Sequence, residues 1–124
     1  MNRKERKKHT ELLESAIKKI KKLGYRNVKA ATLDDYEDPR SFSRAKDDET
    51  FVPDITATIR GRKDYFDVAL KTDRDRRLVT KWRLMDTLAR MKNRKFTLLV
   101  PRGSYRFAND IVDQYSINPQ LVRI

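Results

Sequence analysis

Two runs of alternating apolar and polar residues, joined by a basic turn, restrict the possible folds of this chain more than any other feature. Residues 51–59 read FVPDITATI and residues 65–71 read YFDVALK, with RGRK at 60–63 between them. Their two-residue period is that of β-strands, and Gly61 in the connection is typical of a tight turn. The sequence therefore predicts an antiparallel hairpin. Its apolar face carries Phe51, Pro53, Ile55, Ala57, Ile59, Phe66, Val68 and Leu70.

The opposite face of this hairpin carries charges where a small protein usually buries apolar groups. If the turn is centred just after Gly61, Asp54 faces Ala69 across the strand pair. Asp67 and Lys71 then flank that position on the same face, with Cβ atoms roughly 7 Å away along the diagonal. Side chains at this separation can close around one ion or phosphate. The alternative is that they form the water-facing side of an ordinary hairpin.

The remaining periodicities predict a single α/β domain that spans residues 1–124. The predicted helices are 4–23, 75–91 and 105–115, and the further predicted strands are 25–31, 96–100 and 121–124. The acidic segment 34–50 follows neither period, and we expect a flexible loop there. Because helices precede and follow the hairpin, they should cover both faces of a mixed central sheet. Charges on a covered face are costly unless a cleft, a metal or a partner compensates for their desolvation.

The strongest global signal is the excess of basic residues. The chain has 30 Lys and Arg against 18 Asp and Glu, which gives a net charge of +12 and a pI near 10.1. Such a surface attracts polyanions through Coulomb forces and counterion release, so nucleic acid is the leading partner. No basic segment shows the aromatic and leucine face of a membrane-surface helix, and no apolar run reaches the length of a membrane span. We therefore expect a nucleic-acid partner and no membrane.

Cysteine and histidine usage restricts the chemistry further. The chain contains no cysteine and one histidine, His9, which excludes Cys-based zinc sites and multi-histidine centres. Any metal must then be held by carboxylates, which Mg²⁺ or Mn²⁺ prefer. Covalent catalysis is unsupported, because there is no cysteine and no serine shows a histidine and acid arrangement. The absence of cysteine is compatible with a reducing interior, and we expect a cytoplasmic location.

The order of these features resembles the core of the PD-(D/E)XK nuclease superfamily. A helix is followed by three strands, with Pro53 and Asp54 opening the second strand and Lys71 closing the third, and then by a helix and a strand. The phrase PDITATIRGRKDYFDVALKTD is similar in layout to the metal-binding hairpin of archaeal Holliday junction resolvases. The resemblance extends from the first helix to residue 100 and implies a restriction-endonuclease-like αβββαβ core, here followed by a further helix and strand.

The resemblance carries over to individual positions of the hairpin. Pro53 and Asp54 match the PD of the motif, and Lys71 matches its lysine. The acid of the family stands two residues before that lysine, where this chain has Ala69. We interpret Asp67, two residues further back on the same face, as a displaced carboxylate. The resemblance thus implies that Asp54 and Asp67 hold the metal and that Lys71 assists catalysis.

Two further side chains of the first helix are candidates for the site. In the family a glutamate of this helix often completes the site, and Glu14 lies at the border of the apolar stripe. Its alternative role is that of a solvated partner of Lys18 at the i+4 position. His9 lies on the apolar side near the helix start, where it either packs or edges the cleft.

Basic residues are clustered near the ends of the predicted strands and helices, where they could bind a phosphate backbone without reading its sequence. Trp82 has the spacing of a core residue of the second long helix, and Lys81 beside it could reach a phosphate. The candidates for nucleic-acid contacts are Arg60, Arg62, Lys63, Arg74, Arg76, Arg77 and Lys81.

The sequence therefore favours a Mg²⁺- or Mn²⁺-dependent DNA endonuclease that acts on double-stranded or branched DNA and uses an activated water. The resemblance implies a homodimer, since cutting two strands takes two sites. One alternative is a nuclease-fold module that binds nucleic acid without cleaving it, because the usual acidic position is Ala69. Another is a basic protein-interaction or RNA-associated factor.

Overall fold

Seven strands and three helices make up the part of the chain that the computed structural model describes, residues 3–44, 46, 48–71 and 76–124. The helices are α1 (Arg3–Lys22), α2 (Arg76–Met91) and α3 (Tyr105–Gln114). The strands are β1 (Arg26–Ala30), β2 (Phe42–Arg44), β3 (Glu49–Phe51), β4 (Ile55–Ile59), β5 (Arg62–Val68), β6 (Phe96–Val100) and β7 (Gln120–Arg123). No helix within these ranges is both long enough and apolar enough to cross a membrane.

Five of the strands form one mixed sheet in the order β1-β4-β5-β6-β7. The first three strands pair in antiparallel fashion, whereas β6 runs parallel to β5 and β7 runs parallel to β6. Parallel neighbours need a crossover connection, which α2 and α3 provide. The predicted α/β class is confirmed.

Helices cover both faces of this sheet, as the element order predicted. The face under α1 forms one apolar cluster, in which the helix contributes Leu13, Ala16, Ile17 and Ile20 and the sheet contributes Ala30, Ile55, Ala57, Phe66, Val68 and Leu99. The face under α2 and α3 forms the second cluster, to which the sheet contributes Tyr65, Ala69, Phe96, Leu98 and Val100. Adjacent residues of β5 therefore enter opposite cores, which is the alternation expected of a strand covered on both sides.

The turn of the β4–β5 hairpin is two residues long, and this corrects the predicted register. Arg60 and Gly61 form the turn with φ values of 50° and 78°, as a type I′ turn requires. Ile59 pairs with Arg62, so opposite residues are displaced by two positions from the prediction that Asp54 faces Ala69. A shift of two residues leaves every side chain on the face predicted for it, because the strand period is two.

The segment predicted as a loop between β1 and β4 contains a short hairpin of its own. β2 and β3 pair in antiparallel fashion, and the rings of Phe42 and Phe51 stack at 6.0 Å. The guanidinium of Arg77 on α2 lies 4.7 Å from the Phe51 ring. β3 ends at Phe51, and Pro53, which lacks an amide donor, separates it from β4. The predicted strand 51–59 is therefore shorter than its apolar pattern, and its first residue belongs to another sheet.

Candidate functional site

Asp54 and Asp67 meet where the β4–β5 ladder ends. Continuing the register one pair beyond Ile55 and Phe66 places the two acids directly opposite each other. The Asp54 amide donates to Asp67 Oδ1 at 2.9 Å, and the Val68 amide donates to Asp54 Oδ2 at 2.8 Å. Each carboxylate thus accepts a backbone hydrogen bond from the partner strand, which fixes both side chains on the face under α2.

Helix α2 brings an amine and an indole to these carboxylates. Lys81 Nζ lies 3.1 Å from Asp67 Oδ1 and 3.6 Å from Asp54 Oδ1. The next residue, Trp82, donates its Nε1 hydrogen to Asp67 Oδ2 at 2.9 Å. The side chains of Lys81 and Asp54 keep 18% and 16% of their surface exposed, against 2% for Asp67. The cluster is therefore buried at Asp67 and accessible to solvent at the other two groups.

The charges of this cluster depend on one another. Burial, and then the nearby charge of Asp54, raises the pKa of Asp67 to about 7, against the opposing attraction of Lys81. Burial alone would lower the pKa of Lys81, but the attraction of Asp67 and Asp54 raises it above its usual value. The pKa of Asp67 therefore depends on the charges of Asp54 and Lys81, and the pKa of Lys81 depends on the charges of the two acids.

His9 of α1 lies within electrostatic range of the same cluster. Its side chain is half-buried, and burial lowers its pKa. The charge of Asp67 acts in the opposite direction and that of Lys81 in the same one. A lowered pKa keeps this imidazole neutral at pH 7.

The other two residues implied as catalytic lie at the surface. Lys71 is exposed, and its backbone amide donates to Ser104 Oγ at 2.9 Å. Glu14 is exposed on α1. The amine that contacts both acids is that of Lys81, for which the sequence predicts a phosphate contact. One signal for it was present in the sequence: Lys81 borders the buried stripe of α2, where a charge needs a partner.

The predicted phosphate contacts are distributed over several environments. Arg60 and Arg76 are exposed, Lys63 is half-buried, and Arg74 lies outside the described residues. Arg77 pairs with Glu49 and donates to the Thr50 carbonyl at 2.9 Å.

Arg62 is held by a buried acid that the sequence analysis did not single out. Its Nε donates to Asp64 Oδ1 at 2.8 Å. Asp64 is fully buried and also accepts hydrogen bonds from the Tyr25 hydroxyl at 2.6 Å and the Lys95 amide at 2.9 Å. This network joins β5 to the segments before β1 and β6. Its hydrogen bonds account for the burial of Asp64, so no ligand is needed to explain it.

The donor set at Asp54 and Asp67 suits a small divalent cation. Among the residues that the structure describes, no group of three or more His, Asp or Glu side chains is arranged to hold a metal. Mg²⁺, however, is usually bound through one or two carboxylates together with waters and substrate phosphates. The two carboxylates converge here, and the Lys81 ammonium lies against an oxygen of each. The arrangement already stabilises a cation between them, and Asp54 is open to water.

No family model matches this chain, and no match was found among curated proteins or solved structures. Its function therefore has to be inferred from the residues of the site and their surroundings.

Proposed function

We propose that this protein is a metal-dependent nuclease that hydrolyses phosphodiester bonds in DNA, on a double-stranded or branched substrate. The observation that carries the proposal is the convergence of Asp54, Asp67 and Lys81 at one end of the β4–β5 hairpin, within a chain of net charge +12. Two hard carboxylates and an amine, partly open to solvent, are the groups that metal-assisted attack of water on a phosphate requires.

The element order supports the resemblance on which this proposal draws. Helix α1, the antiparallel strands β1, β4 and β5, then α2 and the parallel strand β6 follow the αβββαβ order expected of the superfamily. Asp67 lies directly opposite Asp54, and we take it as the acid of the motif. The lysine of the motif would then stand two residues later, where this chain has Ala69. We infer that Lys81 supplies the missing amine from the neighbouring helix.

Each residue has a separate task in this mechanism. Asp54 and Asp67 would hold Mg²⁺ or Mn²⁺, which when bound polarises the scissile phosphate and lowers the pKa of a water. The Trp82 indole and the Val68 amide orient the carboxylates by hydrogen bonds at 2.9 and 2.8 Å. Lys81 orients the attacking water and stabilises the negative charge that develops on the phosphoryl oxygens.

A second candidate is a module of the same fold that binds nucleic acid without cleaving it. It is favoured by the fact that every oxygen of Asp54 and Asp67 already lies within 3.6 Å of a backbone, indole or ammonium nitrogen. In this second candidate the two acids have a structural role, because their hydrogen bonds and ion pairs connect the start of β4 to β5 and α2. The homodimer is proposed for the nuclease alone, because cutting two strands takes two sites, whereas a cytoplasmic site of action is proposed for either candidate.

Cleavage assays separate the two candidates. Supercoiled plasmid and a four-way DNA junction are incubated with the protein in Mg²⁺, in Mn²⁺ and in EDTA. We expect nicking that requires the metal and is lost in Asp54→Asn, whose amide oxygen can still accept the Val68 hydrogen bond. The surface variant Asp110→Asn is the matched control, because Asp110 is exposed on α3. Salt-sensitive DNA binding without nicking in any metal would reject the nuclease and support the binding module.

Metal binding can be followed without substrate. Trp82 is the only tryptophan of the chain and is hydrogen-bonded to Asp67. Mn²⁺ is paramagnetic, so its binding at this site should quench the Trp82 fluorescence in a saturable way. We expect the quenching to be weakened by Asp54→Asn and preserved in Asp110→Asn. Quenching that is equal in both variants would place the metal elsewhere.

A further inference from the structure

The sheet face that carries Asp54 continues beyond the area covered by helices. Among the described residues, the apolar cluster under α2 and α3 includes none from β1 or β4. This part of the face instead forms a cavity of about 380 Å³. We call it the cationic groove, and its lining residues are Asn27, Val28, Lys29, Glu37, Thr56, Thr58 and Lys63.

Strand register explains why the two lysines project into this groove. Lys29 of β1 pairs with Thr56, and Lys63 of β5 pairs with Thr58, so one amine stands on each side of β4. Residues that are opposite each other share a face of the sheet. β1 has one extra residue between Arg26 and Lys29 relative to β4, near Asn27 with its φ of 50°.

The groove lies in line with the acids along β4. Asp54 and the threonines at 56 and 58 follow one another at two-residue spacing on the same face of the chain. At about 3.4 Å per residue, Thr58 lies roughly 14 Å along the strand from Asp54. An extended chain that lies in the groove along β4 would therefore be directed toward the candidate site.

The electrostatics of the groove are positive. Burial lowers the pKa of Lys63, and repulsion from other cations lowers it further; those cations are Lys29, Arg94, Arg40 and Lys92. Glu37 provides a single opposing charge at the wall, 3.9 Å from Lys29 Nζ and itself largely exposed. Closely spaced like charges are unfavourable in the free protein, and a bound anion would relieve their repulsion.

We infer that the cationic groove binds the phosphates of a nucleic-acid strand and aligns that strand with Asp54, Asp67 and Lys81. The alignment step rests on the proposed nuclease function, whereas phosphate binding does not. A strand fits better than a single phosphate group because the cations are spread along the sheet face rather than gathered at one point. The contacts are to backbone charge, so they would position a strand without reading its sequence.

Binding measured without metal tests this inference. Fluorescence anisotropy of a labelled 20-nucleotide single strand and of the matching duplex is recorded in EDTA at several salt concentrations. For the double variant Lys29→Gln and Lys63→Gln, we expect affinity to fall roughly tenfold or more at 0.1 M salt. The slope of log K against log salt should become shallower by about 1 for each lost phosphate contact. Glutamine retains most of the apolar stem of each lysine.

The matched control changes the same number of charges on the other side of the sheet. Lys18→Gln and Lys19→Gln remove two exposed lysines of α1. We expect the control to bind more than threefold tighter than the groove variant. Glu37→Gln should strengthen binding, because it removes the opposing charge. If the groove variant unfolds, Arg40→Gln with Lys92→Gln at the exposed rim gives the same test.

Equal losses in the groove and control variants, with equal salt slopes, would overturn the inference. Inorganic phosphate and pyrophosphate serve as competitors in the same assay. Displacement at equal charge concentration by either one would mean that the groove binds isolated phosphate groups rather than a strand. If the wild-type protein cleaves nothing but the groove variant still loses binding, the groove inference is kept and the nuclease function is rejected. Failure of the groove inference and failure of the proposed function are therefore distinguishable.

Discussion

Asp67 is the residue on which the candidate site most depends. It is 98% removed from solvent, yet its carboxylate accepts hydrogen bonds from the Asp54 amide and the Trp82 indole and contacts the Lys81 ammonium. A buried charge is tolerated when it is paired and hydrogen-bonded, and both conditions are met here. The same burial makes the protonation of Asp67 sensitive to pH.

The stability of the protein should therefore depend on pH through Asp67. Burial and Asp54 raise the pKa of Asp67 from 3.8 to about 7 in the folded protein. Between these values the folded state binds more protons than the unfolded state, so this group's contribution to stability is lost as pH rises. We expect a decrease of at most about 1.4 kcal/mol per pH unit from this group. Urea unfolding of wild type and Asp67→Asn from pH 4 to 8 measures it.

Asp67→Asn cannot titrate, so its stability should change less over this interval than that of wild type. Parallel curves for the two proteins would contradict a raised pKa for Asp67. Trp82 fluorescence reports the unfolding transition in both proteins.

We expect substitutions of Lys81 and of Lys71 to have different effects on the cleavage rate. Lys81 contacts both acids, whereas Lys71 is exposed. If the nuclease proposal is correct, Lys81→Gln should lower the cleavage rate by about 100-fold or more, as removal of a group that stabilises transition-state charge does. Lys71→Gln should change the rate less than threefold. Circular dichroism checks that both variants fold. A larger loss of rate in Lys71→Gln than in Lys81→Gln would indicate that Lys71, not Lys81, assists catalysis.

At the scale of elements, the β4–β5 hairpin positions the acids and its turn sets their register. A two-residue turn with both φ values positive matches the twist of the strands. Had the turn been one residue longer, Asp54 and Asp67 would no longer lie opposite each other. Helix α2 is the second element of the site, because it places consecutive side chains, Lys81 and Trp82, on the two oxygens of Asp67.

The turn can be tested by two substitutions with opposite effects. Gly61 has a φ of 78°, and a Cβ at this position would meet no atom within 4 Å. Gly61→Ala therefore introduces backbone strain alone, and we expect a loss of about 1 kcal/mol in unfolding free energy. Arg60→Asn should increase stability, because Asn adopts the left-handed region readily. Chemical denaturation measures both, and stabilisation by Gly61→Ala would contradict the turn assignment.

For the whole molecule, the charge balance is the dominant property. A net charge of +12 on 124 residues makes the folded state repel itself, and the cationic groove concentrates part of that repulsion. The same excess that favours a polyanion partner therefore costs stability in the free protein. Salt weakens this repulsion, since the screening length falls to about 10 Å at 0.1 M ionic strength.

We expect added salt to stabilise the free protein. Raising NaCl from about 20 to 300 mM should increase the melting temperature by a few degrees, which corresponds to about 1 kcal/mol for a domain of this size. The variant with Lys18→Gln and Lys19→Gln should show a smaller increase, because it carries less charge. Differential scanning fluorimetry gives both values. A melting temperature that falls with salt would mean that attractive ion pairs outweigh the repulsion.

Local pattern determined the three helices, the five strands of the main sheet and the faces of β4 and β5, but not the β2–β3 hairpin. The helical spacing of Leu13, Ala16, Ile17 and Ile20 and the two-residue period of β4 and β5 depend only on neighbouring residues. The period of two also kept Asp54 and Asp67 on one face although the predicted register was wrong by two positions. The net charge likewise follows from the residues alone.

The identity of the amine that contacts these acids depends on packing between elements that are distant in sequence. Lys81 is 27 residues from Asp54 along the chain, and its approach depends on how α2 packs over β5 rather than on any local period. The same holds for Asp64, which becomes buried when Tyr25, Arg62 and the Lys95 amide surround it. The cationic groove also arises from packing, because Lys29 and Lys63 become neighbours only when β4 lies between their strands. Contacts of this kind follow from the docking of whole elements, which sequence periodicity does not specify.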